Sequence, residues 1–206
     1  MTSNDPSQRM QLMKAIRDEV FAFHTSPLYH ERVQAGVFPV IGEGSHDARI
    51  VFVGEAPGKN EALTGRPFCG ASGKVLDILL AGVGIARGDV YITNVVKDRP
   101  PMNRDPLPEE IAAYGPFLER QLSIIQPNVI APLGRFAMAY VMQLYGIGDE
   151  VKPISHIHGT AFTGAAPWGV VHVVPLYHPA VAVYNRTMLP TLQKDIEQLT
   201  QLVAHQ

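Results

Sequence analysis

Cysteine is almost missing from this sequence: Cys69 stands alone among 206 residues. One thiol excludes an internal disulfide and cannot by itself hold a metal cluster. A strongly basic balance is also missing, because the formal net charge is −2 at pH 7. Nucleic-acid binding would therefore need a local basic face rather than a global one. No apolar run approaches the roughly 20 residues that span a bilayer. The opening MTSNDPSQRM lacks a charged-then-apolar signal pattern. The expectation is a cytoplasmic protein without a membrane role. No internal repeat, low-complexity tract or linker divides the chain, so 1–206 reads as one domain, with 1–8 frayed and flexible. A hydrophobic fraction of 46% against 17% charged is enough for a full core.

What is present centres on Ile50–Gly73, IVFVGEAPGKNEALTGRPFCGASG. The run Ile50–Val53 reads as a buried strand. A loop follows with five glycines, two prolines and two glutamates. Glycines just beyond a buried strand let backbone approach a ligand closely. Loops between a strand's carboxyl end and a helix are where α/β proteins place chemistry.

Apolar spacing predicts a helix over Arg9–Phe23, then an irregular segment over 24–48. Strands are expected at Arg49–Val53, Val90–Thr93, Asn128–Pro132 and Val170–Leu176. Helices are expected near Gly73–Val83, Pro108–Ile125, from Gly134 to Leu144, and Leu189–Ala204. A short hairpin is expected around Phe162–Trp168. KDRPPMNRDPLP, with four prolines in twelve residues, must be a loop. The alternation predicts an α/β fold with a parallel sheet covered by helices on both faces.

Each strand ends in residues unlike its apolar body: Gly54-Glu55, Asn94, Gly134 and His178. The carboxyl ends of parallel strands share one edge, so these residues should converge, with Phe68 joining from the first loop. Asn can donate and accept at once, as the O4/N3–H edge of uracil requires. An aromatic ring stacks on a base, and a His can donate to an oxygen that becomes anionic. Taken singly, each residue has a plainer reading: Glu61 a solvated charge, Phe68 core, Asn94 a turn residue, His178 a structural histidine. Cys69 reads as a small hydrophobe. His156 and His158 form an H-x-H pair without a third metal ligand, and no metal site is expected. GASGK fails as a phosphate loop, because Phe68 stands where that motif needs Gly.

GEAPGKNE, GRPFCG, VYITNVVKDRPPMNRDP and YHPAVAVYN together resemble the motifs of family-4 uracil-DNA glycosylases, in order, across roughly residues 26 to 200. The resemblance implies a three-layer α/β/α sandwich with a central four-stranded parallel sheet. It implies a monofunctional DNA N-glycosylase that releases uracil from DNA in base excision repair. Glu55 and Glu61 match the acidic positions that bind uracil and organise water; these and His178 are the implied catalytic residues. Phe68 matches the stacking ring, Asn94 the residue that reads uracil, and His178 the group that stabilises charge at O2. Ala180–Asn185 match a loop entering the minor groove. Arg66, Ser72, Lys97, Arg99, Arg104, Val183 and Tyr184 are candidate DNA contacts. Uracil-containing DNA is the expected partner, and a monomer the expected state.

The sequence also departs from that family. Its usual 4Fe–4S cysteines would fall at Phe23, Ser26, Asp98 and Tyr114, none of which binds iron as a thiolate does. No cofactor is expected, with packing and hydrogen bonds replacing the cluster. Val183 and Tyr184 stand where relatives often have Leu and Arg, leaving either as the wedge. Ala56 stands where better-known uracil glycosylases place Asp. Relatives that trap DNA covalently insert a His-containing segment where KDRPPMNRDPLP has none. Two rival readings remain: a non-catalytic binder of uracil or abasic DNA on the same fold, and a small nucleotide hydrolase of the same architecture.

Overall fold

A computed structural model describes residues 5–204. In chain order its elements are α1 (Pro6–Phe21), α2 (Tyr29–Ala35), β1 (Glu43–Gly44), β2 (Ile50–Gly54), α3 (Lys59–Thr64), α4 (Ala71–Gly82), β3 (Tyr91–Asn94) and α5 (Pro108–Ile125). There follow β4 (Val129–Pro132), α6 (Arg135–Leu144), α7 (Ile154–Ile157), β5 (Phe162–Ala166), β6 (Gly169–Val173), α8 (Ala180–Tyr184) and α9 (Leu189–Ala204).

The strands form one sheet in the order β1-β3-β2-β4-β6-β5. The inner four run parallel, as the sequence implies, and β1 and β5 add an antiparallel strand at each edge. β2 explains the layering. All five of its residues are buried. Val51 and Val53 face a core shared with α1, α5 and α6, whereas Ile50 and Phe52 face a second core shared with α4 and α9. A strand covered on both faces needs a continuous apolar run rather than alternation. The result is helices, sheet, helices.

Several boundaries differ from the sequence expectation. α1 starts at Pro6, because Asp5 accepts the Ser7 N–H at 3.0 Å and Pro6 occupies the first turn. Pro6–Gln8, part of the segment expected to be frayed, thus belong to α1, while residues 1–4 of that segment lie outside the described residues. The segment 24–48 is not irregular throughout, for it holds α2 and β1. The expected hairpin is real, but its second arm is the fourth parallel strand itself: β5 pairs with β6 through Phe162↔Val173 to Ala166↔Gly169. α5 starts at Pro108, where the Glu110 carboxylate accepts the Leu107 N–H at 2.8 Å. Among the described residues no helix is long and apolar enough to cross a membrane.

Candidate active site

Gly54 and Asn94 are register partners at the carboxyl ends of β2 and β3. A Cβ on Gly54 would fall 2.3 Å from Asn94 Oδ1 and 2.8 Å from the Phe68 ring. Only a hydrogen at this position lets the amide and the ring share the strand end. Phe68 itself has φ 47, a left-handed backbone rare for a bulky residue. Two features hold it there. Glu61 Oε1 accepts the N–H groups of Cys69 at 3.1 Å and Gly70 at 3.0 Å. A Cβ on Gly73 would sit 1.7 Å from the Phe68 carbonyl oxygen, so α4 can pass close under the loop.

His178 follows β6 and lies beside Phe68, their ring centroids 5.6 Å apart and tilted by 31°. Its Nδ1 is 3.2 Å from the Ala180 N–H, which donates to it. The proton of the neutral ring therefore belongs on Nε2. Burial lowers the His178 pKa, partly opposed by the charge of Glu61. The ring is thus neutral near pH 7, with Nε2–H as its free donor. The carboxyl of Glu55 is pushed up to about 7, first by burial and then by the charge of Asp105, with Arg135 opposing. Asn94 is 2% exposed, and its side-chain amide has no hydrogen-bond partner among the described residues.

A cavity of about 170 Å³ is lined by Glu55, Glu61, Phe68, Ser72, Asn94, Arg104 and His178, together with Ala56, Pro57, Gly58, Pro100 and Asn103. All five residues expected to handle the base thus meet at one place, with Ser72 and Arg104. The other expected DNA contacts do not line it. Arg66 is exposed and bound through both Nε and Nη2 to Glu43. Arg99 donates to Asn103 Oδ1 at 2.6 Å. Val183 and Tyr184 stand out from α8, and Tyr184 is 90% exposed. Lys97 must be corrected: it is 0% exposed and cannot reach a phosphate. Its ammonium bonds inward to Thr93 Oγ1, the Asn94 carbonyl and Gln121 Oε1.

Residues 41–202 match the family model described as the uracil DNA glycosylase superfamily. The chain belongs to that superfamily. It is 46% identical over 164 residues to a type-4 uracil-DNA glycosylase of Archaeoglobus fulgidus, covering 79% of this chain and 81% of that one. It is 40% identical over 194 residues to the type-4 enzyme of Sulfurisphaera tokodaii, with 94% and 86% covered. For that of Thermotoga maritima the identity is 43% over 180 residues, 87% of each chain.

Within this superfamily the four positions matched to cluster cysteines can be tested against the space they occupy. Ser26 Oγ lies 2.5 Å from the Tyr114 hydroxyl, which donates to Asp98 Oδ2 at 2.5 Å. Arg32 donates to the same carboxylate at 3.1 Å and to the carbonyls of Val20 and Phe21. Phe23 packs edge-on against Tyr114 with centroids 5.7 Å apart. Burial and the Asp98 charge push the Tyr114 phenol up, so it stays a donor. These side chains offer no thiolate and fill the place with one another; they do not fit an iron–sulfur cluster. Among the described residues no group of three or more His, Cys, Asp or Glu could hold a metal ion. His158, of the H-x-H pair, instead bonds Asp195 Oδ2 at 2.7 Å and lies against Tyr177.

Sequence reasoning passed over Asp105, Arg135, Met102 and Asn103. Asp105 and Arg135 act on Glu55. Met102 (φ 56) and Asn103 (φ 55) form a left-handed pair at the cavity lip, and Met102 is 91% exposed. Asn103 carried a weak signal, since asparagine tolerates the left-handed region, but nothing in RPPMNR signals it for Met102. Arg135 had a fainter signal, since it opens a helix straight after Gly134 at a strand end.

Proposed function

We propose that this protein is a monofunctional uracil-DNA glycosylase that flips deoxyuridine from DNA into the cavity at the sheet edge. Extruding the base costs about a few kcal/mol of unstacking and unpairing, least for mispaired uracil. The observation that carries the reading is the convergence of Phe68, Asn94 and His178, whose Nδ1 accepts the Ala180 N–H, around one cavity. Phe68 stacks on the base. The Asn94 amide, packed at the Gly54–Phe68 strand end and without a hydrogen-bond partner among the described residues, donates to O4 and accepts from N3–H. Cytosine reverses both groups and is refused.

As the bond between C1′ and N1 breaks, its electron pair leaves with uracil and the sugar gains positive charge. His178 Nε2–H stabilises the oxyanion forming at O2. Water adds to C1′ and gives its proton to Glu55, whose raised pKa suits a base working near neutral pH. Glu61 has Oε1 committed to the loop, so it holds Phe68 and the backbone in place rather than taking the proton. With Lys97 buried, Arg104 at the lip, Arg66 and Arg99 contact phosphates, and Tyr184 fills the vacated stack. The protein needs no iron–sulfur cluster, because the Ser26–Tyr114–Asp98–Arg32 network joins the segments a cluster would join. The cavity is complete within one chain, so a single copy suffices for the reaction; we take the protein to act as a monomer and place it in the cytoplasm.

The test is a panel of oligonucleotides, each with one modified base, scored for alkali-labile sites with wild type and His178→Ala. Cleavage at uracil by wild type supports the reading. An inert protein that still binds uracil or abasic DNA would make it a recognition protein instead.

A further inference from the structure

Lys97 is a buried amine, its pKa pulled down to about 7 by burial, that the reaction above does not use. A lysine in a protein interior must have its hydrogen bonds met or lose its charge. Here all three ammonium donors are placed: Thr93 Oγ1 at 2.9 Å, the Asn94 carbonyl at 2.7 Å and Gln121 Oε1 at 2.6 Å. The partners are themselves tied. Gln121 Nε2 donates to the Ile41 carbonyl and to the Tyr91 hydroxyl, both at 3.0 Å. Thr93 Oγ1 donates to Ile41 at 2.7 Å. The Lys97 carbonyl accepts the Val40 N–H at 2.8 Å.

This network lies directly behind the strand end that bears Asn94. Among the described residues no hydrogen bond steers the side-chain amide of Asn94, so its place is set by packing at the Gly54–Phe68 strand end and by the backbone that carries it. Lys97 holds that backbone by the carbonyl. Just beyond, the Val95 N–H bonds to the Gly54 carbonyl and the Val96 N–H to the Glu55 carbonyl. The turn that Lys97 closes therefore orders both the base reader and the strand end carrying Glu55.

We infer that Lys97 is a positioning residue for base recognition, acting through Asn94 by fixing its backbone from behind the pocket. The inference rests on the glycosylase reading of the cavity. Lysine is needed because one flexible side chain must reach three oxygens on two elements; methionine fills similar volume and reaches none of them.

The test is a double-mutant cycle of Lys97→Met and Asn94→Ala, read as single-turnover uracil release and as binding of free uracil by NMR titration. Lys97→Met should slow release by about 100-fold, the scale of a small misplacement at a reacting centre. In the Asn94→Ala background the same change should cost little, because the group being positioned is gone. Wild-type rates in folded Lys97→Met, or equal losses in both backgrounds, would overturn the inference. Should Lys97→Met not fold, Lys97→Met with Gln121→Leu, which also removes the stranded acceptor, takes its place in the cycle. Failure of both to fold would make Lys97 a stability element only and overturn the inference as well. An inert wild type refutes the glycosylase reading, and uracil binding alone then decides the role of Lys97.

Discussion

Asn94 Oδ1 and Gly54 face each other so closely across β2 and β3 that a Cβ on Gly54 would lie 2.3 Å from that oxygen. The contact makes an apparently dispensable glycine part of the base pocket. Gly54→Ala should cost about 1–3 kcal/mol of stability through overpacking and should abolish uracil release by displacing Asn94 and Phe68. A thermal melt and a uracil-release assay measure the two effects. An active Gly54→Ala would mean that the pocket is not built on this contact.

His178→Ala removes the donor to the leaving group and should lower single-turnover release by about 100- to 1,000-fold, with binding of abasic DNA largely kept. Asn94→Asp should admit cytosine, since a protonated carboxyl presents the reversed donor and acceptor. Rates on paired uracil and cytosine oligonucleotides check both substitutions.

The Glu55 carboxyl, raised to about 7, gives a pH signature. Only the ionised form accepts the water proton, so the rate should climb with pH up to about 7 and then level. Glu55→Gln should be slower and lack that limb. Stability runs the other way. The folded state holds this proton more tightly than the unfolded chain, so the Glu55 contribution declines as pH rises from 4.5 to about 7. Rate profiles and melts across that range, with and without Glu55→Gln, separate the two.

The Tyr114 hydroxyl links Ser26 to Asp98 in the buried network. Tyr114→Phe strands both and should cost about 1–3 kcal/mol by denaturant titration, with uracil release little changed. Wild-type protein purified without oxygen should carry no stoichiometric iron and show no visible absorption. A full complement of iron would refute the replacement of the cluster.

Tyr184→Ala should weaken action on uracil in duplex DNA more than in single strands, because only a duplex leaves a gap to fill. Equal losses on both substrates would remove Tyr184 from the wedge role.

The sequence by itself determined the four parallel strands, because a strand buried on both faces must be written as a short, nearly continuous apolar run, as in Ile50–Val53. It also determined that Glu55, Asn94 and His178 meet, since parallel strands bring their carboxyl ends to one edge. The two antiparallel edge strands were harder to see: β1 is two residues long, and β5 pairs with a strand already assigned. Only the tertiary structure decided the rest. Lys97 sits in a charged, proline-rich stretch that reads as exposed; oxygens from Thr93, Asn94 and Gln121 turn it inward. The tautomer of His178 depends on a backbone N–H two residues away. The joining of Ser26, Asp98 and Tyr114 spans 88 residues of chain. Periodicity records which face of an element is buried. Hydrogen bonds between distant side chains leave no such trace until the chain has folded.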